Sequence, residues 1–389
     1  MMMCCVGQMV VAQTPVSKLR INPEFARGGS FSEYFDSVDF IPLETTKESF
    51  FGDVYKLELA PGHFIISDQD TKSVLIFKED GRFSGKIDAR KFPHSTFSDA
   101  TIYNDNVTYD PKDSLVMLTT SYNAGKFCWF DLNANNVRNT PFDESISICL
   151  AWLDTNMILY TTFLFPDKKD TLKDLVAVAG SKTRYLPVNT NHLDMKFNMG
   201  GFDRPGFLYK SGDSTVLYAR RRVNIIYEFG KEGLKHEYDL VFPRDYTYPA
   251  NFDSLSEDRQ GEYLVSHNKT FILLRSAYKM GNRLFFEALN SGGYITGNRH
   301  FMYDLKSGDL VSLDRIVSDS LSYFLPFTAP YGTIAGTDGR YIYCYVSSFD
   351  MFNAKEENKH PVKYSPALER YFQTANRKSN PVIVRLRLK

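Results

Sequence analysis

Short runs of β-branched and aromatic residues, divided by Gly, Pro, Asp, Asn or Ser, set the hydrophobic pattern of this chain. The clearest set is in residues 53–88, DVYKLELAPGHFIISDQDTKSVLIFKEDGRFSGKID, where the pattern predicts strands over 54–59, 64–67, 74–78 and 82–87. Each run is too short for an ordinary helix, and each gap holds turn residues: Pro61-Gly62-His63, residues 68–73, and Asp80-Gly81. The stretch reads as one antiparallel meander.

Related meanders recur. The pattern predicts a second over 106–109, 115–119, 126–131 and 137–142, a third over 148–153, 157–163, 175–179 and 184–188, and a fourth over 206–209, 215–219, 224–229 and 234–241. A fifth covers 271–277, 283–289, 300–305 and 309–313. Their shared element is an aromatic strand end, a polar turn with Gly or Asn, and a second strand: FKEDGRF, WFDLNANNV, YEFGKEGL and MYDLKSGDL. The units are about fifty to seventy residues apart, longer than a WD40 repeat. A sixth set is incomplete, with strands at 324–327, 340–346 and 381–388, while 37–44, SVDFIPLE, has no hairpin partner beside it. Pairing that orphan with the C-terminal strand completes the sixth sheet and closes a ring, which removes exposed sheet edges.

The predicted fold is therefore all-β, a six-bladed β-propeller closed by pairing of N- and C-terminal strands. Residues 35–389 form the single domain, 13–34 a loosely attached lead-in, and 1–12 a signal-like segment. One helix is predicted over 365–376: Ser365 caps it, Pro366 suits its first turn, and Leu368, Tyr371, Phe372 and Ala375 give an apolar face.

Composition narrows the function classes. Hydrophobic residues are 43% of the 389, ample for a core, and 31 Phe with 24 Tyr suit half-buried sheet faces. Lys plus Arg equals Asp plus Glu at 46 each, so no overall field draws the protein to nucleic acid or an acidic membrane. The segment MMMCCVGQMVVA at 1–12 is apolar and ends in small residues before Gln13, like the apolar region and cleavage site of a secretory signal. A positive flank is missing, and the reading expects that the start has lost a few residues. No other apolar run approaches the ~20 residues that span a bilayer. The expectation is an exported protein of the periplasm or cell surface, monomeric and without a transmembrane span. Cleavage after Ala12 leaves Cys128, Cys149 and Cys344, an odd number at no metal-like spacing, expected as buried thiols.

Three segments carry a family resemblance: FIPLETT at 40–46, the blade turn at 74–81, and SNPVIVRLRLK at 379–389. They resemble the NHL-like six-bladed β-propeller family of exported Bacteroidetes proteins, whose function is mostly unknown. The resemblance implies the propeller fold and export. It also marks a departure, since the family's Gly-Pro-Glu-Tyr-rich loop after the first blade is here ARKFPHSTFS at 89–98. A binding feature built on that loop in relatives is not expected in this chain.

In a propeller the loop between the second and third strands and the loop to the next blade share one face. That face collects 68–73, 89–101, 122–126, 190–205, 220–222, 243–261 and 290–298, the longest loops, and binding usually resides in such loops. Arg220, Arg221 and Arg222 offer forked donors to a carboxylate, sulfate or phosphate, or else form a solvated turn. Tyr246, Tyr248 and Phe252 suit the apolar faces of pyranose rings, or else plug the channel mouth. Asp68 and Asp70 resemble a fragment of a calcium loop, which needs several more oxygen ligands; the alternative is a turn that accepts backbone amides. No cofactor is expected, calcium being the one ion weighed. The histidines at 63, 94, 192, 236, 267, 300 and 360 show no zinc-ligand spacing, and no Gly-x-Ser-x-Gly or Gly-Lys-Ser/Thr motif occurs. The expectation is a binding module for a glycan, peptide or envelope partner, acting through the loop face. The alternative is a metal-dependent hydrolase, lactonase or lyase with a site at the central channel.

Overall fold

The computed structural model describes residues 14–91, 107–118, 126–141, 146–162, 175–179, 182–186, 207–212, 214–219, 223–292, 299–329 and 334–389. The chain opens with three strands whose partners come much later: β1 (Val16–Arg20), β2 (Arg27–Ser30) and, after the one-turn helix α1 (Phe31–Tyr34), β3 (Phe35–Pro42). Blade I then follows as β4 (Lys56–Ala60), β5 (His63–Asp68), β6 (Ser73–Lys78) and β7 (Phe83–Asp88). Blade II is β8 (Val107–Asp110), β9 (Leu115–Leu118), β10 (Lys126–Phe130) and β11 (Asn136–Pro141). Blade III is β12 (Ile146–Trp152), β13 (Met157–Thr162), β14 (Leu175–Ala179) and β15 (Lys182–Leu186). Blade IV is β16 (Phe207–Lys210), β17 (Val216–Ala219), β18 (Ile225–Gly230) and β19 (Gly233–Val241). The helix α2 (Glu257–Ser266) precedes blade V, which is β20 (Phe271–Met280), β21 (Arg283–Asn290), β22 (His300–Asp304) and β23 (Leu310–Val317). Blade VI is β24 (Gly336–Thr337), β25 (Ile342–Val346) and β26 (Val382–Leu388), with α3 (Ser348–Glu357) and α4 (Pro366–Thr374) inserted between the last two.

The innermost strands β4, β8, β12, β16, β20 and β24 touch in that order and close on themselves, so the sheets stand around one axis. Each blade buries its two faces against its neighbours. Ile65, Val74 and Ile76 of blade I pack on Val107, Val116 and Phe130 of blade II, while Phe64, Ile66 and Leu75 pack on Tyr343 and Ile383 of blade VI. This two-sided burial explains why the strands read as near-continuous apolar runs rather than alternating ones.

The closing strand lies as the sequence predicts. β3 pairs antiparallel with β26, Phe40 opposite Val384. The first and last of the three segments that carried the family resemblance also meet beyond the ladder. The Asn380 amide donates to the carbonyls of Glu44 at 2.8 Å and Ser49 at 2.9 Å, and its Oδ1 accepts from the Phe51 amide at 3.2 Å. Its backbone N–H donates to Thr45 Oγ1 at 2.9 Å and its carbonyl accepts from Ser348 Oγ at 2.6 Å. Gly81, in the left-handed region at φ 88°, fits its turn against the Pro42 carbonyl, where a Cβ would clash, and its own carbonyl accepts from the Glu44 amide at 2.8 Å.

Three expectations are corrected. The lead-in is not loose: β1 and β2 pair in parallel with β19 and β23 as fifth, outermost strands of blades IV and V, and Leu19 and Ile21 are buried. The innermost strand of blade VI is Gly336–Thr337, not 324–327. Tyr323 and Phe324 have left-handed φ values in succession, 57° and 56°, which turn the chain out of an extended path, and the run instead buries Leu325 and Phe327 in irregular structure. The predicted helix is α4, but α2 and α3 join it.

Candidate functional site

Charged side chains interrupt the apolar strands of blade V, and the ladder lines them up. β20 is the longest strand described, ten residues, and its register shifts between Arg275 and Tyr278 where Ser276 sits at φ 51°. Such a bulge turns the neighbouring side chain away from the regular pleat. Arg275 lies opposite Glu287 of β21 and grips it with two bonds, Nε to Oε2 at 2.5 Å and Nη2 to Oε1 at 3.1 Å. Glu287 in turn lies opposite His300 of β22, whose Nε2 is 3.5 Å from Glu287 Oε1. On the far side His300 Nδ1 is 2.7 Å from Asp314 Oδ1 of β23, and Asp314 Oδ2 accepts the backbone N–H groups of Arg299 at 2.8 Å and His300 at 2.9 Å. Arg299 Nε adds a charge contact to Glu287 Oε1 at 3.5 Å.

The row thus crosses all four strands, from the innermost to the outermost of the meander. Its middle is dry: the Glu287 side chain is 0% exposed and that of His300 4%, whereas a third of Arg275 reaches solvent on the innermost strand. Burial alone would raise the Glu287 carboxyl, but the His300 and Arg275 contacts outweigh it and bring it down to about 2. Burial would likewise lower His300, yet Asp314 and Glu287 together raise it. Asp314 is held below its ordinary range, the penalty of burial being overcome by the bond and charge of His300.

Arg275 also has titratable neighbours from other blades. Tyr345 of β25 has its phenol raised, first by burial and then by the charge of Asp53, while Arg275 pulls the other way. Groups from blades I, V and VI therefore come within electrostatic reach of one another. Burial also raises the Asp53 carboxyl, with the Asp68 and Asp70 charges adding to it. Two further polar seams join neighbouring blades. Glu228 accepts from Lys279 Nζ at 2.7 Å and from the Tyr238 hydroxyl at 2.6 Å between blades IV and V. Lys56 Nζ donates to the Val107 carbonyl at 2.7 Å between blades I and II.

The residues singled out in the sequence fare differently. Arg220, Arg221 and Arg222 lie outside the described residues. Tyr246 and Phe252 are 8% and 2% exposed: Tyr246 stacks on Phe271 and bonds Glu24, and Phe252 sits between Tyr248 and Tyr263. Neither leaves an open ring face for a sugar, and only Tyr248 of the trio is half-buried. Asp68 is fully buried and accepts from the amides of Gly52, Asp53, Asp70 and Thr71 and from the Thr71 hydroxyl. That is the amide-accepting turn. Among the described residues no group of three or more His, Cys, Asp or Glu is placed to hold a metal ion.

Sequence reading missed Arg275, Glu287, His300 and Asp314. The signal was there in FILLRSAYKM and RLFFEALN, where a charge interrupts an apolar run on either side of the Gly281-Asn282 turn. Opposite charges across a hairpin suggest a cross-strand pair, although here the register shift between Arg275 and Tyr278 is what brings Arg275 opposite Glu287.

Comparison with known proteins agrees with this architecture. Residues 21–387 match a family profile described as a domain of unknown function, DUF4934. No curated protein matches the sequence. A crystallised protein from Bacteroides fragilis whose export is inferred aligns with a TM-score of 0.70 at 12% identity, over 96% of this chain and 100% of its own. A DUF4221 family member from Bacteroides vulgatus aligns at TM-score 0.44 and 10% identity, over 91% of this chain and 97% of its own. Virginiamycin B lyase from Staphylococcus aureus aligns at TM-score 0.40 and 12% identity, over 91% and 99%. At such identities the first likeness shows the fold alone, and the other two carry no argument.

Proposed function

We propose, from the premise that this chain belongs to the DUF4934 family of six-bladed β-propellers, that it is an exported binding module. It recognises a glycan, peptide or envelope partner through its loop face, with Arg275 meeting an acidic group of that ligand at the channel. The observation that carries the reading is the Arg275 side chain: on the innermost strand, beside a left-handed bulge, partly open to solvent and fixed by a buried carboxylate. A guanidinium so fixed has surrendered its rotamer freedom before any ligand arrives, which lowers the cost of binding. Strained backbone beside a charged group is also where function concentrates. Export draws support from the apolar segment at 1–12 and from the Bacteroides fragilis neighbour. No helix among the described residues is long and apolar enough to cross a membrane.

The test is a thermal-shift screen of the full chain against uronate-containing and neutral glycans, acidic and neutral peptides, and divalent metal salts, since a ligand that prefers the native state raises its midpoint. The expected outcome is a rise with acidic ligands that Arg275→Lys weakens about 10- to 100-fold in affinity, the equivalent of one charge-assisted forked bond. Neutral ligands alone, or an affinity untouched by Arg275→Lys, would refute the anchor. A metal salt that shifts the midpoint, with substrate turnover, would favour the hydrolase, lactonase or lyase.

A further inference from the structure

We infer that His300 is the positioning residue of this channel site: wedged between Glu287 and Asp314, it controls through its proton how tightly Glu287 holds Arg275. Its binding consequence rests on the function proposed above, while the coupling itself rests on geometry alone.

The contacts are unequal. Nδ1 makes a short bond, 2.7 Å to Asp314, whereas Nε2 stands 3.5 Å from Glu287 Oε1 in a charge contact without a hydrogen bond. When His300 gives up a proton to solvent, the shorter contact keeps its Nδ1 hydrogen on Asp314 and Nε2 becomes a lone pair. That lone pair then faces the carboxylate oxygen that Arg275 Nη2 also contacts. An attraction turns into a repulsion, in a dry site where either is stronger than in water. Glu287 has to shift, and because it holds two guanidinium nitrogens, Arg275 shifts with it. His300 lies two strands out from the innermost strand, so it reaches a ligand only through this carboxylate.

The charged groups around the imidazole are few. Glu287 faces it from β21 and Asp314 from β23, Arg299 precedes it in the chain and contacts Glu287, and Arg275 of β20 stands behind Glu287. Arg315, next to Asp314, turns outward instead and donates to the carbonyls of Glu24 at 3.2 Å and Ala26 at 2.7 Å. A folded-state pKa raised above the ordinary histidine value means that the stabilisation is complete below 6.5 and lost as pH rises through the raised value. Glu287 and Asp314 are depressed, so their share is complete above 4.5 and 3.8 and lost as pH falls through the lower values. The row is therefore whole between 4.5 and 6.5 and loosens on the alkaline side.

The experiment is an NMR titration of the full chain from about pH 5 to about pH 9, following the His300 ring and the Arg275 Nε–H, assigned with His300→Gln and Arg275→Lys. The expected result is one shared midpoint above the ordinary 6.5 for both signals. A His300 midpoint at or below that value, or an Arg275 signal that stays still through it, overturns the inference. Should His300→Gln fail to fold, Asp314→Asn serves: it keeps an acceptor without the charge and is expected to lower the His300 midpoint, and an unmoved midpoint counts against the inference. A second arm measures sodium glucuronate affinity on both sides of the midpoint. Wild-type affinity is expected to fall several-fold on the alkaline side and His300→Gln affinity to ignore pH. Binding that ignores pH in the wild type overturns the inference. If glucuronate binds at no pH, the acidic-ligand reading falls, and the coupling still stands or falls on the two NMR signals.

Discussion

Asn380 illustrates how a single side chain secures a junction that the backbone ladder leaves open. Ahead of β26 and past the end of β3 the chain leaves the ladder, and the segment 44–51 has only irregular structure, so its carbonyls need donors from elsewhere. Asn380 is 1% exposed and supplies two of them, with the Tyr371 hydroxyl bonding Ser348 at 2.7 Å behind it. Asn380→Ala is expected to cost about 2–4 kcal/mol, because the Ser49 carbonyl and the Phe51 N–H lose their bonds to it and the Glu44 carbonyl keeps only the Ser49 hydroxyl. Asn380→Asp should cost more, since it sets a carboxylate against those carbonyls. Urea unfolding of the purified variants measures both, and a loss under 1 kcal/mol for each, well short of the ~1–3 kcal/mol of one buried unsatisfied group, would remove Asn380 from this role. At this scale sequence reading was partial. SNPVIV and FIPLETT could be seen as markers, but that Asn380 ties one to the other depends on a meeting of residues more than three hundred apart. The same holds for Asp68, whose competing calcium and turn readings differ only in which backbone amides surround it.

Among elements, most of those whose partner is adjacent in sequence were legible, the two-residue β24 excepted, and of the three with a remote partner only β3 was, because the incomplete sixth set left a place for it. Hairpins such as β6 to β7 carry their own turn residues, Asp80-Gly81, and their apolar runs flank them. β1 and β2 have no turn to announce them, pair in parallel, and bury little more than Leu19, Ile21 and Ala26, so nothing local marks them as strands. Their placement is nonetheless selective. They cover β19 and β23, which at nine and eight residues are longer than the outer strands of blades I, II and III, at six, six and five. Long bare edges invite pairing with another chain. Deleting residues 1–30 should leave the ring closed, because β3 is untouched, while exposing both edges. The expected outcome is concentration-dependent association by light scattering where the full chain stays monomeric; a truncated chain that remains monomeric would show that the two strands serve some other end.

For the whole molecule, closure depends on β26, which sits between β25 and β3 and is buried along most of its length. Truncation before residue 382 removes two of the three ladders of blade VI at once. The product is expected to lose cooperative unfolding and to be degraded rapidly by added protease, whereas removing Lys389 alone should change neither. The ring could be read from the sequence because it follows from counting meanders and one unpaired strand. The channel site could not, because Asp53, Arg275 and Tyr345 come from three blades and only the closed circle brings them together.

The order in which partners are made has a consequence for a chain that emerges from its N-terminus onward. β1, β2 and β3 appear first, yet their partners end at residues 241, 317 and 388, so every stage of synthesis before the last carries at least one orphaned strand. Blades I to III are local and can assemble as they arrive. β1 must wait for residue 241, β2 for 317 and β3 for 388, which makes β3 the last of the three to find its place and any prematurely terminated copy recognisable by the strand it leaves hanging.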